Sequence, residues 1–342
     1  MKNATIINNI RNIDFIKSSV YVILLVSFAL TGCNDEGEEP KCLCSAECTE
    51  SCEEVLLTDE TISVDGKSRK YDLYLPPLHE ISTDLPVVID LHGFTESPQD
   101  QRTNSNFTPI AKEENFITVW PKAAANGENC LLAGASGLYW NADWGGTVED
   151  IEFINALIDQ VGSDYNVDLS MVYVTGLSNG GFMAYSLACA LSDRIAAVAS
   201  VAGSMTENLL TNTCQPSRQI PILQVHGTND RVIFWDGEPT CKGGIAAIEV
   251  VVAFWRTNAG CSSTFTELQY ENVDTSDGST ARILTYDDCS GKMKFLIVDG
   301  GGHNWPGSRQ MMANPNALLR PINNDINASE IIWSFLKEHQ LP

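Results

Sequence analysis

The chain has 342 residues, 44% of them hydrophobic and 19% charged, enough apolar material for a core and too little charge for disorder. Its 21 lysines and arginines stand against 44 acids, a net charge of −23. An anionic surface of that size repels phosphate backbones and acidic membrane faces, so nucleic acid is excluded as an expected partner. Length alone would suggest about two domains at ~150 residues each, but α/β enzymes often wrap more than ~200 residues around one sheet.

Residues 1–19 carry Lys2, Arg11 and Lys17 against the single acid Asp14, and an apolar run, VYVILLVSFAL, fills 20–30. Eleven residues are too few to cross a bilayer but suit the hydrophobic region of an export signal. The run ends in Leu30-Thr31-Gly32-Cys33, which resembles the lipobox of bacterial lipoproteins and implies cleavage before Cys33 and acylation of that residue. Residues 1–32 are therefore expected to be a signal peptide and 33–55 an acidic tether, with 56–342 as one catalytic domain. The only expected membrane contact is the lipid anchor, on the outer membrane or cell surface of a bacterium, with the periplasm or secretion as alternatives. Cys42, Cys44, Cys48 and Cys52 crowd into the tether. They read as two small disulfide loops rather than a zinc site, because C-x-C-x3-C-x3-C lacks the usual paired C-x2-C spacing. Six cysteines remain, Cys130, Cys189, Cys214, Cys241, Cys261 and Cys289, and spacing alone allows fifteen pairings.

From about residue 56, short β-rich runs alternate with helical ones. Residues 62–76 predict a hairpin turning at Asp65-Gly66. PVVIDLHG (86–93) and FITVWP (116–121) predict buried strands, and 150–161 repeats Ile151, Ile154, Leu157 and Ile158 at helical spacing. MVYVTG (171–176) is a strand running into a glycine-rich turn and then a helix through Cys189. IPILQVHG (220–227) and MKFLIVDG (293–300) are further strands, with an apolar helix around 246–255 between them. A last helix is expected at about 328–338, where Asn327 and Glu330 suit a capping pair. Apolar strands separated by helices predict a mostly parallel central sheet with helices on both faces, whose active site lies at the strands' carboxyl ends.

The strand MVYVT ends in Gly176-Leu177-Ser178-Asn179-Gly180-Gly181, a G-x-S-x-G turn that lifts a serine hydroxyl above a sheet. By itself the pattern equally suits a tight turn with a capping serine. A serine is a poor nucleophile until an imidazole takes its proton, and the imidazole needs a carboxylate to hold its tautomer. Of the five histidines, His79 precedes the first buried strand and His339 lies near the end. His92 and His226 each end a strand before a glycine, and His303 follows the last strand within GGGHNWPG. His303 is the expected base, on a loop whose glycines would let the ring swing over the sheet edge. Asp230 is the expected acid, with Asp236 and Asp299 as alternatives. The order Ser178, Asp230, His303 is that of α/β-hydrolases. The N–H groups of Asn179 and Phe94 are the expected oxyanion donors. Among loop aromatics, Trp140, Trp144, Trp235 and Trp305 suit stacking on a ring or sugar or simple packing. Trp305 and Trp140 are expected beside the substrate, with His92 bracing the loop there.

LHGF, GLSNGG, HGTND with Val232 beyond it, and GGHNWPG together resemble the polyhydroxybutyrate-depolymerase-like esterases, a group that includes feruloyl and acetylxylan esterases. The likeness covers about residues 58–340. The segment 148–154, VEDIEFI, is similar as well. This implies an α/β-hydrolase fold and a serine carboxylesterase without metal or organic cofactor, and it carries the triad roles onto Ser178, Asp230 and His303. It also implies the pairs Cys261–Cys289 and Cys189–Cys214, leaving Cys130 with Cys241. The family often has paired cysteines just before the VEDIEFI-like segment; here YWNADWGG stands there, with Cys130 ten residues upstream of Trp140. The expected substrate is a feruloylated or acetylated polysaccharide, cleaved by a monomer. The alternatives are a polyester such as polyhydroxybutyrate, a peptide, or a binding lipoprotein on a retired hydrolase scaffold.

Overall fold

Asp65 and Gly66 both take positive φ, 49° and 75°, the turn that lets two strands fold back without splaying. It joins β1 (Val55–Val64) to β2 (Lys67–Leu75) as an antiparallel pair. The computed structural model describes residues 53–128, 136–143, 149–240, 243–289, 292–309, 311 and 316–342, all within one compact unit. The expected signal peptide, Cys33 and the tether cysteines lie outside the described residues, as do Cys130, Cys241 and Trp144.

After the hairpin come β3 (Leu85–Leu91), α1 (Pro98–Ser105), α2 (Thr108–Glu114), β4 (Ile117–Pro121) and the small pair β5 (Ala125–Glu128) and β6 (Ser136–Tyr139). Next are α3 (Asp150–Asp164), β7 (Val167–Leu177), α4 (Asn179–Ala190), β8 (Ala197–Val201) and β9 (Ile222–Gly227). The chain finishes with α5 (Ile248–Asn258), β10 (Phe265–Gln269), β11 (Thr280–Tyr286), β12 (Met293–Asp299) and α6 (Ala328–Leu336).

Ten strands form one sheet in the order β1-β2-β4-β3-β7-β8-β9-β12-β11-β10. The central six, β4 to β12, run parallel, and an antiparallel pair closes each side. One face packs Phe153 and Leu157 of α3, Phe182 and Leu187 of α4, and Trp255 of α5. The other packs Ala111 of α2, Trp305, and Ile332, Trp333 and Phe335 of α6. Burial on both faces explains why the parallel strands read as continuous apolar runs. In α6 the expected cap is present: Asn327 accepts the N–H of Ser329 at 3.1 Å and donates to Glu330 at 2.8 Å.

Asp90 breaks the apolar run of β3 and ties α1 to the sheet. Its buried carboxylate accepts from Gln101 at 2.6 Å and Ser105 at 2.5 Å, both on α1, and from Trp120 at 2.9 Å. Burial pushes its pKa up to about 7. α1 starts with a reciprocal cap between Ser97 and Asp100, behind Pro98 at its first position. Cys189–Cys214 and Cys261–Cys289 are both closed, with Cα separations of 4.8 and 4.7 Å.

Candidate active site

Ser178 follows β7 and starts α4 at φ 56° and ψ −116°, a conformation held only where the surroundings enforce it. Two glycines make the turn possible. A Cβ on Gly176 would stand 2.7 Å from the Gly180 backbone, and one on Gly180 would stand 2.2 Å from the Leu91 oxygen. The Ser178 N–H donates to the Val201 oxygen of β8 at 2.8 Å. The serine therefore stands at the carboxyl edge of the sheet, ahead of a helix N-terminus.

Asp230 lies in the loop after β9 and His303 in the loop after β12, and they meet at 2.8 Å between Oδ2 and Nδ1. The other carboxylate oxygen of Asp230 accepts the N–H groups of Val232 at 2.8 Å and Ile233 at 2.9 Å. Burial pushes the Asp230 carboxyl up, but the adjacent His303 and His226 imidazoles and these donors together hold it below its ordinary value. An ionised Asp230 only accepts, so it selects the His303 tautomer protonated on Nδ1 and leaves Nε2 as a lone-pair base. Asp236 is exposed, and Asp299 pairs with Arg282 at 2.7 Å.

The glycines around His303 serve close approach rather than a swinging ring. A Cβ on Gly302 would sit 2.4 Å from the Arg320 oxygen, and one on Gly301 would sit 2.5 Å from Val298. The loop is also bound along its length to 318–321, with Gly302 donating to Pro321 at 2.8 Å and Asn304 to Leu319 at 2.6 Å.

Ser178, His303 and Phe94 share a cleft of about 510 Å³. Its lining includes the apolar Phe94, Val232, Met311 and Leu318 and the polar Glu96, Gln99, Asp100, Thr103 and Asn104. Phe94 lies in the turn after β3, and among the described residues no acceptor meets its N–H. Asn179 is the first residue of α4, where a backbone N–H has no preceding turn to bond. Glu96, which the sequence reading passed over, braces this turn. It accepts the Gly93 N–H at 2.8 Å and the Asn104 amide at 3.1 Å, and burial raises its pKa.

Trp140 and His92, expected beside the substrate, are both fully buried and do not border the cleft. Trp140 donates to the His92 oxygen at 2.9 Å, and its backbone is gripped on both sides by the Asn179 amide at 2.6 and 3.1 Å. His92 accepts the Ala123 N–H at 3.1 Å. Their indole and imidazole thus form a scaffold behind the turn that carries Phe94. Trp305 is 1% exposed, packs edge-on against Phe107 and donates to Ser329 at 2.9 Å. It borders a neighbouring depression instead of the cleft. Trp235 stacks on Phe295 with ring centroids 5.5 Å apart. Among the described residues, no three His, Cys, Asp or Glu side chains gather as a metal-binding group.

The family model described as phospholipase/carboxylesterase matches residues 84–236. Feruloyl esterase C of Emericella nidulans is 32% identical over 252 residues, covering 73% of this chain and 81% of that protein. A bifunctional acetylxylan esterase/xylanase of Neocallimastix patriciarum is 27% identical over 242 residues; these are 70% of this chain but only 31% of the larger protein. The solved acetyl xylan esterase from Aspergillus awamori superimposes with a TM-score of 0.54 at 16% identity, covering 75% of this chain and 98% of that one. The fold is that of the α/β-hydrolases, and the sequence relatives place the chain among those that cleave carboxylic esters. It belongs to the feruloyl esterase family.

Proposed function

We propose that the protein is an exported serine esterase that releases feruloyl or acetyl groups from polysaccharide, with Ser178, Asp230 and His303 as its triad. The observation that supports this most directly is the 2.8 Å bond from His303 Nδ1 to Asp230, on a histidine that shares its cleft with Ser178. In this reading Nε2 of His303 takes the Ser178 proton as Oγ attacks the ester carbonyl. The N–H groups of Asn179 and Phe94 receive the negative charge on the carbonyl oxygen. His303 then protonates the leaving sugar alcohol, and water, activated by the same Nε2, releases the carboxylic acid and restores Ser178. The acyl group would pack on the apolar lining residues and the sugar on the polar ones. The names of the feruloyl and acetylxylan esterase relatives support this substrate class.

Leu30-Thr31-Gly32-Cys33 supports a further part of the proposal, a lipid anchor on Cys33 holding a monomeric enzyme at the cell surface. The test incubates the protein and its Ser178→Ala variant with feruloylated arabinoxylan, acetylated xylan and amorphous polyhydroxybutyrate, and quantifies the released acids. Ferulate or acetate from the wild type alone is the expected result. Hydroxybutyrate alone would overturn the polysaccharide assignment in favour of a polyester. Mass spectrometry of the N-terminal peptide tests the anchor, which fails if Cys33 carries no acyl chains.

A further inference from the structure

A second depression, of about 560 Å³, adjoins the catalytic cleft, and the two share Thr103 and Asn104 of α1. Its lining is unlike that of the first. The cleft carries the carboxylates of Glu96 and Asp100, whereas the second depression has amides and hydroxyls, including Asn106 and Ser308, the edge of Trp305, and Arg309. No carboxylate is among its lining residues. Arg309 is exposed, and among the described residues no acid pairs with it. In a chain of net charge −23, an unneutralised guanidinium beside the active site marks a place for an anionic group.

Two of its lining residues, Trp305 and Ser105, are linked through Ser329. Ser329 receives the Trp305 indole N–H at 2.9 Å and itself donates to the Ser105 oxygen at the end of α1. Asn106 stands in the left-handed cap of α1 at φ 50°, which turns the chain at the depression's rim. Hydroxyl and amide groups suit sugar hydroxyls, and a planar guanidinium suits a carboxylate.

We infer that this depression is a glycan subsite, which binds the chain that carries the scissile ester and selects uronic acid branches through Arg309. The inference rests on the polysaccharide-esterase reading and names the class of glycan it takes. No bond changes here; the subsite acts through binding alone.

The test compares acetylated xylo-oligosaccharides of equal length with and without a glucuronic acid branch, alongside 4-nitrophenyl acetate. The wild type is expected to show a lower KM for the branched oligosaccharide. Arg309→Gln is expected to raise that KM about three-fold, the scale of an exposed ion pair, and to leave kcat, the neutral oligosaccharide and 4-nitrophenyl acetate unchanged. Asn106→Gly, which keeps the left-handed cap, is expected to raise KM for both oligosaccharides and not for 4-nitrophenyl acetate. Equal wild-type KM values for the two oligosaccharides, or an Arg309→Gln effect on both alike, would overturn the subsite while leaving the esterase reading intact. Cleavage of 4-nitrophenyl acetate with no acetate from either oligosaccharide would instead overturn the polysaccharide reading itself.

Discussion

Two parallel strands end alike in this molecule: β3 runs into Leu91-His92-Gly93, and β9 into Val225-His226-Gly227. Both histidines are fully buried, and burial lowers the pKa of each, that of His92 to about 4. Yet they are wired in opposite senses. His92 donates from Nδ1 to the Gly93 oxygen at 2.7 Å and accepts the Ala123 N–H on Nε2. His226 donates from Nε2 to the Ile233 oxygen at 2.9 Å and accepts Gln224 on Nδ1 at 3.1 Å. The first braces the turn that presents the Phe94 N–H; the second braces the loop that holds Asp230. In this molecule a histidine before a glycine at a strand end fixes the loop that follows, and the neighbouring acceptor decides its tautomer.

The largest effect is expected where the β9 end meets His303. Asp230→Asn should lower kcat about 10⁴-fold, because an amide can donate to Nδ1 and so favours the wrong tautomer. KM should stay close to the wild-type value. A loss of less than ten-fold would mean that His226 or another group orients His303 instead.

A smaller effect should come from the β3 end. Glu96→Ala removes the acceptor of the Gly93 N–H and should lower kcat about ten-fold with KM unchanged. Glu96→Gln, whose amide oxygen can still accept, should restore most of it. Equal losses in both variants would assign the effect to charge rather than to the bracing of the turn.

A third effect is read in stability rather than in rate, and only in acid. The unfolded chain protonates His92 near its ordinary value of 6.5, whereas the folded chain resists until about 4. Its contribution is complete above pH 6.5 and is lost as the pH falls toward 4, by roughly 3 kcal/mol. His92→Asn should be less stable at pH 7.5 and show a shallower loss of Tm between pH 6.5 and 4.5. An unchanged slope would sink this account of the β3 end.

Much of this frame was legible in the sequence because catalysis and strand geometry leave local marks. Ser178, Asp230 and His303 each lie shortly after an apolar strand, and glycines flank the serine where backbones touch. The aromatic residues were harder to place. Trp140 and Trp305 occupy loops, as their neighbours suggested, but nothing local reveals that Asn179 and Ser329 draw them inward. Glu96 and Asp90 were missed because a single acid carries no period. β10 was missed because all five of its residues are exposed, and an edge strand with no buried face has no apolar alternation. α1 has a capping signal in Ser97 and Asp100, but its mostly polar eight residues conceal a helix fastened to the sheet by hydrogen bonds.

The two sets of groups around the cleft stand under unequal steric constraint. The serine turn and the histidine loop depend on backbone passing backbone, so a single added methyl group at Gly180 or Gly302 would meet a carbonyl oxygen. The cleft lining also includes ordinary side chains on α1, with Val232, Met311 and Leu318, open to exchange one at a time. Single substitutions in the lining can therefore change which ester fits, while a side chain added in either turn would collide with backbone.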